Sequence, residues 1–174
     1  MGPSPSYYGV KILSYKAKQR TKLLLEVCFL LYLVLLMYFL FFGDRYGRTG
    51  YRQEYQYNLV PFQEIKRFIR YREILGLESF LLNIVGNIVA FSPFGFMLPI
   101  LNSKKRGILY VTLVSLEFSL FIELMQLITK VGSYDVDDMI LNTLGGILGY
   151  IAYRICYNIW KRRTRKHGVS QKKG

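Results

Sequence analysis

Histidine is nearly absent from this chain of 174 residues, occurring once as His167 in a basic tail. Set among lysines and arginines, it reads as solvated, and no serine–histidine or histidine–metal spacing accompanies it. Cysteine is equally sparse. Cys28 and Cys156 each lie inside an apolar segment, with no CxxC pattern, so zinc binding and dithiol redox chemistry find no support. Acidic residues are also few, 11 against 24 Lys and Arg, for a net charge of +13. That balance suits a nucleic-acid partner in number but not in distribution.

What the chain has in quantity is apolar and aromatic side chains, 52% and 16% of residues. Segment length decides between a rich soluble core and a membrane protein. Residues 23–42, 80–101, 107–128 and 139–160 each reach the roughly 20 residues that cross a bilayer at 1.5 Å per residue. The expected fold class is all-α: a polytopic membrane protein with a bundle of four transmembrane helices. Its organisation reads as a basic N-terminal segment 1–22, a membrane domain 23–160 and a basic tail 161–174. A cleaved signal peptide fits the first stretch less well, because its apolar run exceeds about 7–15 residues and no small-residue cleavage site follows.

The basic residues cluster in the N-terminal segment, in Lys104-Lys105-Arg106, and in the tail with Lys161, Arg162, Arg163, Arg165, Lys166, Lys172 and Lys173. Four crossings put all three clusters on one side, which the positive-inside rule makes cytoplasmic. The segment between spans three and four carries Lys130 against Asp135, Asp137 and Asp138, whereas the first loop is mixed. The expected location is a bacterial plasma membrane with both termini inside. Anionic lipid headgroups account for the basic tail without nucleic acid.

Residues 2–8, rich in Gly, Pro and Ser, are expected to be disordered, and 10–22 to form a short helix at the inner leaflet. Tyr46, Tyr51, Tyr55 and Tyr57 crowd the first loop, as an interfacial aromatic belt or as a surface for stacking on sugars. Asn58-Leu59-Val60-Pro61-Phe62 then turns the chain. In residues 63–75, Phe62, Ile65, Phe68, Ile69 and Leu75 fall near one helical face, the pattern of an amphipathic helix lying in the interface between spans one and two. Pro93 is expected to kink or split the second span at 91–95.

Polar side chains within the spans carry the functional expectation. Asn83 and Asn87 stand one turn apart, and Ser119, Glu123 and Gln126 share a stripe on span three. Asp135, Asp138 and Asn142 line one face of span four, continued by Gly146 and Gly149. Glu117 lies near mid-depth, about 120° around the helix from Glu123, and should meet a different partner. Such groups are costly in hydrocarbon and should face one another or a wet cavity. The candidate ligand pocket is therefore Asn83, Asn87, Glu123, Gln126, Asp135, Asp138 and Asn142. Glu123, Asp135 and Asp138 are also the candidates for acid–base catalysis or for holding a metal. No cofactor is evident, although a divalent cation would suit such carboxylates. Capping of the fourth span by Asp135, with Asp138 at the third helical position, is the architectural alternative. Gly145 and Gly149 form a small-xxx-small pair that permits close helix approach.

Several of these pieces together resemble the VanZ-like membrane proteins, a family linked to low-level resistance to glycopeptide antibiotics of the teicoplanin type. They are Asn58-Leu59-Val60-Pro61-Phe62, then Asn83-Ile-Val-Gly-Asn87-Ile-Val-Ala-Phe91-Ser-Pro93-Phe-Gly95, then Glu123-Leu-Met-Gln126. Asp135-Val-Asp-Asp138-Met-Ile-Leu-Asn142-Thr-Leu-Gly145-Gly146 completes them, in the family's order and spacing. The resemblance implies a cell-envelope role. The leading expectation is a non-enzymatic protein that binds or shields an envelope lipid, a lipid-linked wall precursor or the glycopeptide. The alternatives are an enzyme acting on a lipid-linked substrate through the carboxylates, and a small transporter subunit working as a homo-oligomer.

Overall fold

The computed structural model describes residues 5–42, 54–102 and 107–170. The basic turn Lys104-Lys105-Arg106, the loop tyrosines Tyr46 and Tyr51, and Lys172 and Lys173 lie outside them, as does the side chain of His167. The described residues form seven α-helices and one pair of two-residue strands, in order α1 Pro5–Phe42, β1 Tyr57–Asn58, α2 Gln63–Arg70, α3 Arg72–Leu75 and α4 Leu77–Phe80. A π-helical turn, Leu81–Val85, joins α4 to α5 Gly86–Leu101; α6 Ile108–Thr129, β2 Tyr134–Asp135 and α7 Val136–Ser170 complete the chain.

Among the described residues, four helices are long and apolar enough to cross a membrane: Ala17–Phe42, Leu77–Leu101, Ile108–Thr129 and Val136–Thr164. The protein is thus an all-α, polytopic membrane protein, with the short α2 and α3 between the first two spans. The expected separate helix at 10–22 is instead one piece with the first span, and helix already begins at Pro5, within the stretch expected to be disordered. Tail residues Lys161, Arg162 and Arg163 end up at the same end of the bundle as Lys18, Arg20 and Lys22, opposite Asp135.

The packing centre is α7 against α5, two helices that run in the same direction. Glycines set the approach. A Cβ on Gly149 would fall 1.9 Å from the Ser92 carbonyl oxygen, one on Gly95 1.8 Å from the Gly146 carbonyl oxygen, and one on Gly145 2.4 Å from the Ile88 carbonyl oxygen. Without an apolar driving force between helices in lipid, this backbone contact supplies the dispersion energy that holds the pair. α6 joins through a buried stripe of Val111, Ser115, Ser119, Ile122, Glu123 and Gln126. α1 leans on the outside, with Leu36 and Leu40 buried against Phe91 and Ile122. The Phe94 ring stacks on Phe118 at 4.8 Å.

Of the kink or split expected at 91–95, the split does not occur: α5 continues through Pro93 and Pro99 as one helix. Hydroxyl groups attend the carbonyls around the proline: Ser92 Oγ donates to the Ile88 carbonyl at 2.8 Å, and Tyr32 OH to the Ala90 carbonyl at 2.6 Å. The irregularity of the second span sits earlier, in the π-helical turn, a feature that often marks functional segments.

Candidate functional site

Two distant stretches of chain meet at one end of the bundle. β1 pairs in parallel with β2, Tyr57 opposite Tyr134 and Asn58 opposite Asp135. The Tyr134 N–H donates to the Gln56 carbonyl at 3.0 Å. This pairing fastens the first loop over the start of α7 and brings three aspartates under it, each with a separate task.

Asp135 is the N-cap of α7. Its Oδ1 accepts the Asp137 N–H at 2.8 Å, as capping requires, and also Asn58 Nδ2 at 3.1 Å. Asp137 is wholly buried and reaches the other way. Its two oxygens accept the backbone N–H groups of Phe62 and Ile65, at the N-terminus of α2. Phe62 is held there in the left-handed region at φ 65°, where a residue with a Cβ pays a steric penalty. Asp138, at the third helical position, accepts Asn87 Nδ2 on its Oδ1 at 2.6 Å, tying α7 to α5.

Glu123 had no evident cationic partner in the sequence. Its Oε2 accepts the Asp135 backbone N–H at 2.8 Å, so the partner is the start of α7. Only 1% of the residue is exposed. Asn142, one helical turn beyond Asp138, donates from Nδ2 to Ser119 Oγ at 2.9 Å. Gln126 donates from Nε2 to the Leu40 carbonyl at 3.0 Å, the polar tie between α6 and α1. Asn83 stands apart from this group: its Nδ2 returns to the Ser79 carbonyl of its own helix at 2.8 Å. Buried oxygens without a partner remain at Asn142 Oδ1, Gln126 Oε1, Ser115 Oγ and Thr143 Oγ1.

Above Asp135 the end of the bundle opens into a polar cavity of about 770 Å³. Tyr57, Asn58, Gln63, Glu64, Arg67 and Asp135 line it, together with Tyr55, whose ring lies 4.6 Å from the Lys130 ammonium. Arg67 pairs with Glu64 one turn away. Burial pushes the Glu64 carboxyl above its ordinary range; Arg67 opposes the shift, and Asp135 and Asp137 add to it. Burial likewise raises Asp135, against the pull of the Asp137 N–H and the Asn58 amide. Among the described residues no group of three or more His, Cys, Asp or Glu is arranged to hold a metal ion. The candidate metal carboxylates Glu123, Asp135 and Asp138 are occupied by a backbone amide, two amide donors and an asparagine.

Sequence reasoning missed Asn58, Glu64 and Arg67 as site residues, and it missed the tie of Asp137 to the start of α2. Asn58 reaches the cavity through the β1–β2 pairing, for which two residues give no alternating pattern. An apolar groove of about 710 Å³ runs between α1 and α6, lined by Met37, Phe41, Phe42, Phe121, Met125 and Thr129.

A model of the VanZ/LLP1 family matches residues 29–157, from the first span to near the end of the fourth. Protein VanZ of Enterococcus faecium is 34% identical over 125 residues, 71% of this chain and 69% of that protein. No solved structure matches the chain.

Proposed function

Because the chain belongs to the VanZ/LLP1 family, we propose that it binds the polar head of an envelope lipid or lipid-linked wall precursor at the Asp135 end. Through that binding it contributes to resistance against teicoplanin-type glycopeptides. The supporting observation is the polar cavity of about 770 Å³, with tyrosine rings, amides, two carboxyls and a guanidinium on its walls. Aromatic faces and clustered amides suit sugar rings, and Arg67 suits a phosphate. The apolar groove between α1 and α6 has room for an acyl or isoprenoid chain. Both termini are assigned to the cytoplasm on the distribution of Lys and Arg, so the cavity faces the wall.

Binding ranks ahead of catalysis because Glu123, Asp137 and Asp138 are already committed to backbone amides and to Asn87. A second reading keeps one specific support. Glu64 and Asp135 face the same cavity with raised carboxyl pKa values, as an acid–base pair for a lipid-linked substrate would. The transport reading loses its main support with the uninterrupted α5.

Two substitutions separate these readings when the protein is overexpressed and teicoplanin susceptibility is measured at matched protein levels. Arg67→Gln should lose most of the resistance and Glu64→Gln should keep most of it. Loss in Glu64→Gln with Arg67→Gln unaffected would favour acid–base chemistry. Full resistance in both would remove the cavity from the activity.

A further inference from the structure

α6 carries two glutamates, and only one is accounted for inside the chain. Glu117 points away from the bundle, nine residues after Ile108 and twelve before Thr129 in a helix of 22 residues. At 1.5 Å per residue it lies about 14 Å from the nearer end, beyond the reach of a glutamate side chain to either interface. Among the described residues it has no hydrogen bond and no ion pair. A carboxyl facing lipid at that depth is costly, so the isolated chain leaves it in an unfavourable place.

The surface around it has a definite spacing. Leu113, Glu117, Leu120, Leu124 and Leu127 recur at intervals of four, three, four and three residues. That is the spacing of a coiled-coil seam with one polar residue among leucines, the device that fixes register and oligomeric state. The seam lies opposite the buried stripe of α6, and Leu113, Leu120 and Leu124 remain 48%, 36% and 42% exposed.

We propose that α6 pairs with α6 of a second copy of this chain, parallel and in register, with the two Glu117 carboxyls facing each other in the bilayer. Copies inserted the same way round are parallel by necessity. A two-fold axis along the membrane normal sets each seam residue against its own counterpart. A neutral carboxyl has one O–H donor and one carbonyl acceptor, so two of them satisfy each other, as two lysines or two arginines would not. This pairing leaves the cavity at Asp135 intact in each copy and does not depend on what that cavity binds.

The test uses the full chain in lipid nanodiscs, with Cys28→Ser and Cys156→Ser as background. Leu120→Cys on the seam should oxidise to a disulfide-linked dimer, while Leu148→Cys, 44% exposed on α7, should stay monomeric. Glu117→Gln, which keeps a donor and an acceptor, should self-associate within about threefold of the parent protein. Glu117→Ala should weaken association about tenfold, the scale of one interhelical hydrogen-bonded pair in a membrane. Since Glu117 faces outward, neither substitution should change the melting temperature of the monomer. Cross-linking through Leu148→Cys alone, or equal association of Glu117→Ala and the parent, would overturn the pairing. Loss of association in Glu117→Gln would also overturn it, since that would mean the interface needs a charged glutamate rather than two carboxyls hydrogen-bonded to each other.

Discussion

Gly149→Leu is expected to leave little folded protein in the membrane. The position packs backbone on backbone: a Cβ there would lie 1.9 Å from the Ser92 carbonyl oxygen and 2.9 Å from the Phe96 amide nitrogen. Neither atom is the end of a flexible side chain, so α5 and α7 must separate or shift past each other. The same two helices share the contacts at Gly95 and Gly145, and a displacement at Gly149 strains all three. Overpacking in a well-packed core costs about 1–3 kcal/mol, and a clash with main-chain atoms along a whole helix pair belongs at or above the upper end. Gly149→Ala should already lower the melting temperature markedly. Gly146→Ala should also destabilise, because its Cβ would lie 2.7 Å from the Ser115 Cβ, which rotation of the hydroxyl does not move, but less than Gly149→Leu. Gly107→Ala is the control, with nothing within 4 Å and φ −82°. Abundance in the membrane and thermal unfolding in detergent read the series. A Gly149→Leu protein as abundant and as stable as the parent would mean that the α5–α7 contact is not the packing centre.

Asp137→Ala is expected to free α2 from the bundle. The carboxylate is completely buried and takes the N–H groups of Phe62 and Ile65, so its removal strands two amide donors and opens a void beneath them. An unsatisfied buried polar group costs about 1–3 kcal/mol. Two of them, with the helix-end interaction also lost, put the local penalty near 3 kcal/mol or more. Asp137→Asn is expected to be nearly as damaging, since its amide nitrogen would turn a donor toward an N–H donor. Asp138→Asn retains an acceptor for Asn87 and should be milder. Hydrogen exchange over residues 62–75 should rise sharply in Asp137→Ala, while the middle of α7 keeps its protection. Unchanged exchange in that segment would show that the first loop is held by something other than this carboxylate.

The four spans were legible because crossing a bilayer sets a length, and few other structures need four apolar stretches of about 20 residues. Gly145 and Gly149 were legible for a related reason: small residues one turn apart serve little purpose on a lipid-facing surface. The polar end was only partly legible. Asn87, Glu123, Gln126 and Asn142 could be read as groups that avoid lipid, and all four are buried. Their partners could not be read. Glu123 is answered by a backbone N–H, which leaves no trace in a side-chain pattern. Asn58 meets Asp135 across 77 positions of chain through a pairing two residues long. Asn83 shares the spacing of Asn87 but spends its amide on the preceding turn, a choice made by its rotamer within the π-helical segment. Pro93 suggested a kink or a split because the ring removes a donor; the helix does not split, and the hydroxyls of Ser92 and Tyr32, whose positions depend on the fold, serve neighbouring carbonyls.

That the cavity above Asp135 opens to the cell exterior is the premise on which any contact with a wall precursor or a glycopeptide rests. Cysteine accessibility in intact cells tests it directly, on a background of Cys28→Ser and Cys156→Ser. Ser133 lines the cavity, whereas Ser103 lies between α5 and α6 in the sequence. With both termini cytoplasmic, Ser133→Cys reacts with a membrane-impermeant thiol reagent before lysis and Ser103→Cys reacts only after it. Labelling of Ser103→Cys in intact cells, with Ser133→Cys protected until lysis, would place the cavity in the cytoplasm and contradict an extracellular ligand.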